Sequence, residues 1–271
     1  MDINNIYNEQ YVSDAFSRQS AEFDEIDKAN STIGWMRDRV RAEVLNYIQP
    51  GSRLLELNCG TGIDSLFFAQ KGHNVLATDN ADGMLQQLND KIIQLGLQDK
   101  VVTKKCSFNN IENLGEGKFD YVFSNFGGLN CTDKLYEVVY GIDKVLKPGG
   151  HFTLVIMPKI CLWEILMLFR GYFKTAFRRF RKNGTKAHLE GVHFFCYYYS
   201  SGYVIKHAGS NYKLNSVKGL CITVPPPFIE NFREKHGTAF RLLEKIENSI
   251  WSIRPFNLLC DHYVITMQKV Q

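Results

Sequence analysis

Two acidic residues flank a glycine-rich turn in the sequence, at positions where carboxylates could bind a nucleoside. An apolar strand containing Glu56 leads into a turn that holds Gly60 and Gly62. Glycine lets the backbone bend sharply and approach a ligand closely. The next apolar strand ends at Asp79, about twenty residues past the glycines, where a carboxylate can accept hydrogen bonds from a ribose diol. This order of strand, turn, helix, strand and acid predicts a nucleoside-cofactor site.

The residues around the turn discriminate between possible cofactors. A nicotinamide dinucleotide requires a third glycine, so that helix and strand pack closely over the pyrophosphate, and Ser65 occupies that position. The carboxylate of Glu56 would repel a pyrophosphate, but it suits a ligand with an ammonium group, such as the methionine part of S-adenosylmethionine. A nicotinamide-dependent oxidoreductase is therefore the second enzymatic hypothesis.

At this point the chain resembles the class I S-adenosylmethionine-dependent methyltransferases. Residues 56–62 match the family's acid and glycine-rich turn, with Asn58 in place of the first glycine. Residues 79–85 resemble its second motif, residues 119–125 its fourth strand, and residues 146–155 its turn into the fifth strand. Asparagine tolerates a left-handed backbone better than most residues, so the turn can survive. Within the family, the chain is most similar to small-molecule enzymes of the quinone-modifying kind.

The resemblance implies S-adenosylmethionine as the cofactor and a role for each matched position. Glu56 and the turn would hold the methionine part, Asp79 the ribose, and Ser107 and Phe108 the adenine. Arg37 and Tyr11 could close the pocket from the N-terminal helices, with Arg37 placed to pair with the cofactor carboxylate. No metal is expected. The full set of expected cofactor-binding residues is Glu56, Asn58, Cys59, Gly60, Gly62, Asp79, Asn80, Met84, Ser107, Phe108, Asn125, Phe126, Arg37 and Tyr11.

Methylation of an oxygen also requires a base that removes its proton, and histidines are the candidates. His262 leads, because a final antiparallel strand would begin at the sheet edge that carries the cofactor. Asp261 precedes it, although neighbouring strand residues point to opposite faces, so the sequence leaves their pairing open. His193, in the aromatic run 192–199, is the second candidate for the catalytic base, followed by His188. The aromatic run favours a flat or apolar small-molecule acceptor.

Composition narrows the class of protein. The 271 residues carry a formal charge of +4, so composition does not indicate nucleic acid. Seven cysteines without a C-x-x-C pair, and no signal peptide, indicate reduced thiols and a cytoplasmic protein. No apolar run is long enough for a membrane span. The oligomeric state is left open.

Alternating strands and helices predict an α/β fold with helices on both faces of the sheet. We expect a single domain with a doubly wound, seven-stranded, mostly parallel sheet and an antiparallel last strand. Residues 1–50 would form a helical cap, 51–157 the cofactor-binding core, 158–200 a helical lid or acceptor insertion, and 201–271 the C-terminal part of the sheet. Within that last part, residues 217–224 are predicted as the sixth strand.

The segment 161–182 combines an apolar helical stripe with many cations, and two interpretations compete. A lid whose apolar side covers the active site is favoured, because the segment follows the fifth strand, where loops face the ligand. A basic amphipathic helix in peripheral contact with a membrane is the alternative. Nucleic acid is a weaker third possibility. The chain could also be a non-catalytic, cofactor-binding or membrane-associated accessory protein.

Overall fold

A seven-stranded sheet forms the centre of the computed structural model, which describes residues 3–270. The strands of the chain, in order, are β1 Arg53–Leu57, β2 Asn74–Asp79, β3 Val101–Lys105, β4 Phe119–Ser124, β5 Leu146–Ile156, β6 Thr185–Leu189, β7 Val192–Cys196, β8 Tyr212–Leu220 and β9 His262–Lys269. The large sheet has the order β3-β2-β1-β4-β5-β9-β8, whereas β6 and β7 form a separate hairpin. Strand β9 runs antiparallel to both of its neighbours, β5 and β8, and every other pairing in this sheet is parallel. The predicted fold class is confirmed.

Helices cover both faces of the sheet, because the inner strands are apolar on both sides. The helices, in chain order, are α1 Ile3–Gln19, α2 Phe23–Ala29, α3 Ser31–Leu45, α4 Ile63–Gln70, α5 Asp82–Leu95, α6 Leu135–Val145, α7 Leu162–Leu166, α8 Phe173–Phe177, α9 Ser201–Ala208, α10 Phe232–Lys235 and α11 Gly237–Ile250. Strand β1 shows the reason for this arrangement, since Leu54, Leu55 and Leu57 are all buried. Among residues 3–270, no helix is both long and apolar enough to cross a membrane.

The N-terminal cap consists of α1, α2 and α3. Helix α3 begins after Asn30, whose side-chain oxygen accepts hydrogen bonds from the backbone N–H of Thr32 at 3.1 Å and of Ile33 at 3.4 Å. Asparagine is among the favoured N-cap residues because its side-chain oxygen can accept these hydrogen bonds. The apolar face of α3 is buried against the sheet, including Met36 and Val40.

The insertion after β5 differs from its prediction in two ways. The predicted single helical stripe is divided into α7, α8 and two 3₁₀ turns, because Gly171 ends the first half with a left-handed φ of +80°. Its aromatic side chains face outward rather than toward the cofactor site, and Phe169 is 88% exposed. The β6–β7 hairpin follows and packs against α1.

The sixth strand of the large sheet, β8, begins and ends earlier than predicted. It covers Tyr212–Leu220, whereas the sequence suggested residues 217–224. Residues 221–224 leave the sheet because the buried carboxylate of Glu247, on α11, accepts hydrogen bonds from their backbone N–H groups. The Glu247 carboxylate thus accepts the backbone hydrogen bonds that a neighbouring strand would otherwise accept. The sequence of residues 217–224 does not indicate this, because Glu247 is distant in the chain.

Candidate active site

The turn between β1 and α4 has the left-handed backbone that its residues predict. Asn58, Gly60 and Gly62 have φ values of 46°, 56° and 79°. The Asn58 amide donates a hydrogen bond to the carbonyl of Asn125 at 3.1 Å and accepts one from Ser124 at 2.6 Å, so it joins the ends of β1 and β4. The asparagine that replaces the first glycine therefore stabilises the turn.

Gly128 provides the space that Asn58 requires. A Cβ atom at Gly128 would lie 2.5 Å from the Asn58 side chain, closer than real contacts allow. Gly62 has a packing role of the same kind, since a Cβ there would lie 2.1 Å from Leu88. Both glycines are thus required by close approach of neighbouring groups.

A cavity of about 200 Å³ lies at the carboxyl ends of β1, β2 and β4. This is the edge where open α/β sheets bind ligands. Most of the expected cofactor residues line it, and they are Arg37, Glu56, Asn58, Cys59, Gly60, Asp79, Asn80, Met84, Phe108, Asn125 and Phe126. The structure therefore brings together residues that are up to 89 positions apart in the sequence.

Asp79 fixes the shape of the cavity as well as lining it. Its carboxylate accepts hydrogen bonds from the backbone N–H of Gly60 and of Ala81, at 2.8 and 2.9 Å. Burial raises the pKa of Asp79, and these two backbone hydrogen bonds partly oppose that shift. The acid thereby ties the glycine turn to the end of β2.

Glu56 is buried at the base of the cavity. Desolvation, and then the nearby Asp64 carboxylate, raise its pKa to about 8. The hydroxyl of Ser65 donates a hydrogen bond to Glu56. Ser65 occupies the position of the third glycine in a dinucleotide site. Here its side chain binds Glu56 instead of leaving space for a pyrophosphate.

Arg37 closes one side of the cavity and is held by two acids. Its guanidinium pairs with Asp27 and Asp64 and lies 4.5 Å from the centre of the Phe126 ring. These ion pairs raise the pKa of Arg37 although burial opposes the shift. The Nε of Arg37 is buried and has no hydrogen-bond partner among the described residues. The cation is thus fixed at the cavity wall.

Sequence reasoning missed Asp64 as a site residue. It lines the cavity, pairs with Arg37 and with Arg41 at 2.7 Å, and accepts a hydrogen bond from Asn125 at 2.9 Å. Its position could have indicated this role, because Asp64 is an acid in the first turn of the helix that follows the glycines. The apolar cover was also missed, and it consists of Val12, Phe16 and Phe23 from α1 and α2.

Three of the expected cofactor-binding residues lie outside the cavity lining. Gly62 packs against Leu88, as described above. Ser107 donates a hydrogen bond to Glu9 at 2.8 Å and caps the following 3₁₀ turn. Tyr11 points to the other side of α1, into a groove of about 1260 Å³. Local sequence could not separate the two faces of α1, because neither face had a known partner.

The groove lies between α1, the β6–β7 hairpin and residues 197–203. It is lined by many aromatic side chains, including Tyr7, Tyr11, Phe195 and Tyr199. His193 is exposed at this groove and its ring packs against His188, with centroids 4.6 Å apart. Helix α1 stands between the groove and the cavity, since Tyr11 faces one and Val12 the other.

His262 is buried at the start of β9, as the sequence predicts for its position. Its Nδ1 lies 2.8 Å from Asp261 Oδ2, and its ring contacts Phe126 edge-on with centroids 6.5 Å apart. The pair forms because Asp261 precedes the strand, so the alternation of side chains does not separate the two residues. Arg179 also binds Asp261, at 2.5 Å. Although burial opposes the shift, His262 and then Arg179 hold the pKa of the Asp261 carboxyl well below its usual range. His262 does not itself line the cavity.

The cavity-forming segment matches a known domain family. Residues 54–150 match the family model described as a methyltransferase domain. The chain is 30% identical over 136 residues to an uncharacterized methyltransferase of Synechocystis, covering 47% of this chain and 59% of that protein. It is 27% identical over 192 residues to a demethylmenaquinone methyltransferase of Listeria monocytogenes, covering 67% of this chain and 77% of that protein.

Solved structures agree with this match at the level of the fold. One is an S-adenosylmethionine-dependent methyltransferase from Mesorhizobium loti, with a TM-score of 0.54, 15% identity, and coverage of 84% of this chain and 96% of that one. Another is a geranyl diphosphate C-methyltransferase from Streptomyces coelicolor, with a TM-score of 0.56, 12% identity, and coverage of 88% and 81%.

Proposed function

We propose that this chain, which has the fold and the matched domain of a class I methyltransferase, transfers a methyl group from S-adenosylmethionine to a small molecule. One observation carries the proposal. The carboxylates of Glu56 and Asp79 face one cavity from adjacent strands, on either side of Gly60. This arrangement suits a ligand with an ammonium group at one end and a ribose diol at the other.

The residues present fit this cofactor chemically. Glu56 would bind the ammonium of the methionine part, and Asp79 the ribose hydroxyls. Met84 and Phe108 offer apolar surface for the adenine. A Cβ at Gly60 would meet only the Phe23 ring, at 3.9 Å, so the backbone of the turn is open toward the ligand. The bound sulfonium would supply an activated methyl group for direct displacement, and the protein would hold donor and acceptor in line.

The aromatic groove is the proposed acceptor site. Its tyrosines and Phe195 match the flat or apolar acceptor that the aromatic run 192–199 favours. His262 is the proposed base for an oxygen acceptor, with Asp261 and Arg179 as positioning residues, and His193 is the alternative. Because α1 separates the groove from the cavity, the acceptor reaches the methyl group only when α1 shifts.

Calorimetry and a transfer assay test the two parts of the proposal separately. S-adenosylhomocysteine should bind with micromolar or tighter affinity, and the nicotinamide dinucleotides should produce no heat. The reverse result would support the oxidoreductase hypothesis. Methyl-labelled S-adenosylmethionine should then transfer label to one of a panel of quinones, phenols and lipids. Cofactor binding without transfer to any of them would favour the non-catalytic alternative.

A further inference from the structure

The insertion after β5 presents an outward-facing aromatic surface that the methyl-transfer site does not use. We call it the insertion patch, and its members are exposed apolar side chains from the first half of the insertion. These residues are Ile160, Leu166, Phe169, Tyr172, Phe173, Phe177 and Phe180. Phe173 is 64% exposed and Tyr172 59%. Large exposed apolar patches on a soluble fold usually mark an interaction surface.

The patch is held in place from its inner side by a buried ion-pair network. Glu164 accepts hydrogen bonds from Arg178 at 2.6 and 2.8 Å and from Arg179 at 2.8 Å. Arg179 continues to Asp261, at the start of β9, and to the carbonyl of Pro158. Glu164 and Arg179 are thus directed inward, whereas the aromatic rings of the patch are directed outward. The ion-pair network fixes this orientation, so the folded protein holds the aromatic rings exposed to solvent.

The exposed charges of residues 159–188 are all positive. Between residues 159 and 188 the only acid is Glu164, which is buried in the network. The exposed charged residues in this range are all cations, namely Lys159, Arg170, Lys174, Arg181, Lys182 and Lys186. Aromatic rings surrounded by cations suit a bilayer with anionic headgroups, where rings enter the interface and cations remain with the lipid phosphates.

We propose that the insertion patch docks the protein on an anionic membrane surface. The aromatic rings enter the headgroup boundary, and the surrounding cations bind the lipid phosphates. The groove opens beside the patch, because Phe180 of the patch and the neighbouring cations Lys159, Arg181 and Lys182 line the groove. A lipophilic molecule dissolved in the bilayer would therefore meet the groove at the membrane surface. Docking itself requires neither the cofactor nor methyl transfer, so it can be tested independently of the proposed function.

Vesicle co-sedimentation without cofactor is the test. The protein should sediment with vesicles of phosphatidylcholine and phosphatidylglycerol, and much less with phosphatidylcholine alone. Added salt should weaken the binding because it screens exposed charges. Two double variants separate the contributions: Phe169→Ser with Phe173→Ser removes rings, and Arg170→Glu with Lys174→Glu reverses charges. Each should reduce partitioning at least about tenfold, because two basic residues at an anionic surface contribute that much and two rings buried in the interface contribute at least as much apolar area.

Matched changes elsewhere on the surface serve as controls. Ile93→Ser with Leu242→Ser removes two exposed apolar side chains, and Lys213→Glu with Lys245→Glu reverses two exposed cations. These controls should keep vesicle binding, and circular dichroism should show all four variants folded.

Three results would overturn the proposal. Vesicle binding equal in the patch and control variants would place the contact elsewhere. Absence of vesicle binding, with a dimer that the serine variant alone dissociates, would assign the patch to a second copy of the chain. Absence of vesicle binding, with a single-stranded oligonucleotide bound in a patch-dependent way, would assign it to nucleic acid.

Discussion

At the scale of single residues, the cavity is lined by buried carboxylates that also form hydrogen bonds or ion pairs within the protein. Asp79 faces the cavity and also accepts hydrogen bonds from the backbone on both sides of it. Glu56 lies deeper, with a raised pKa. Asp64 connects Arg37 to Asn125. Because these side chains satisfy each other and the backbone, changing one affects both the ligand and the local structure.

Asp79→Ala should weaken binding of S-adenosylhomocysteine by roughly 1.5–3 kcal/mol, the range for losing hydrogen bonds to a charged group. It should also lower the melting temperature, because the N–H groups of Gly60 and Ala81 lose their acceptor. Calorimetry and thermal unfolding measure the two effects. Asp82→Ala, at an exposed acid on α5, is the control and should change neither. Unchanged affinity in Asp79→Ala would show that the ribose is bound elsewhere.

His262→Ala should lower turnover by about 10²–10⁴ if the methylated atom is an oxygen, the usual contribution of a general base. Cofactor affinity should hardly change, since His262 does not line the cavity. Steady-state kinetics with the acceptor found in the labelling screen measure this effect. Asp261→Asn should shift the pH–rate profile, because it replaces the carboxylate beside Nδ1 with a neutral amide. Retained turnover in His262→Ala, with loss in His193→Ala, would transfer the role to His193.

At the scale of elements, α1 covers the cofactor cavity, which is the role predicted for the insertion after β5. Helix α1 covers the cofactor cavity with Val12 and Phe16, whereas the insertion contributes no residue to it. The insertion is instead fixed by Arg179 to the loop before β9. A cofactor that binds in this cavity must therefore alter the packing of α1.

Hydrogen exchange should show increased protection of α1 when S-adenosylhomocysteine binds, because its apolar face gains a ligand to pack against. Residues 161–182 should show no change, in contrast to the behaviour of a lid. Helix α11, which contributes nothing to the cavity, is the internal reference. Increased protection of residues 161–182, with none in α1, would restore the lid prediction.

Arg179→Met should destabilise the protein by about 3–5 kcal/mol, because it leaves Glu164 and Asp261 buried without their cation. Urea unfolding measures this loss. Arg181→Met, two residues away at an exposed position, should stay within about 0.5 kcal/mol of the unmodified protein. A small effect of Arg179→Met would mean that the insertion is held by its apolar contacts alone.

At the scale of the whole molecule, the buried carboxylates make stability depend on pH. Burial raises the pKa of Glu56, Asp79 and Glu247, so the folded protein retains protons that the unfolded chain releases. Where the folded state binds more protons, the free energy of unfolding falls as pH rises. For Glu56 this decrease extends from about pH 4.5, its unfolded value, to about pH 8.

The contribution of Glu56 to stability without cofactor should therefore decrease between pH 5 and pH 8, and Glu56→Gln should remove that contribution from the pH dependence. The change removed should be a few kcal/mol, on the order of 1.4 kcal/mol for each unit of pKa shift. Urea unfolding across this pH range measures it. Glu25→Gln, at an exposed acid on α2, should leave the slope unchanged. An identical slope in Glu56→Gln would mean that Glu56 is ionised in the folded state.

The sequence by itself determined the parts of the protein that depend on nearby residues. The β1 strand, its glycine turn and the acid at the end of β2 follow from apolar runs and from residues that tolerate left-handed backbone. The N-cap at Asn30 is equally local. Strand alternation with helices then determines a parallel sheet, and parallel strands bring their carboxyl ends to one edge. Most cofactor-site residues were predictable for this reason.

The tertiary structure alone decided the features that depend on distant partners. Glu247 ends β8 from 27 residues away at Leu220, and Arg179 joins the insertion to Asp261 across 82 residues. That ion-pair network also orients the insertion's aromatic side chains toward solvent. The sequence shows which of these residues share a helix face, but it does not show what that face contacts. The element that covers the cavity also depends on tertiary packing. Helix α1 lies between the cavity and the aromatic groove, and no local sequence pattern shows which of its faces meets which site.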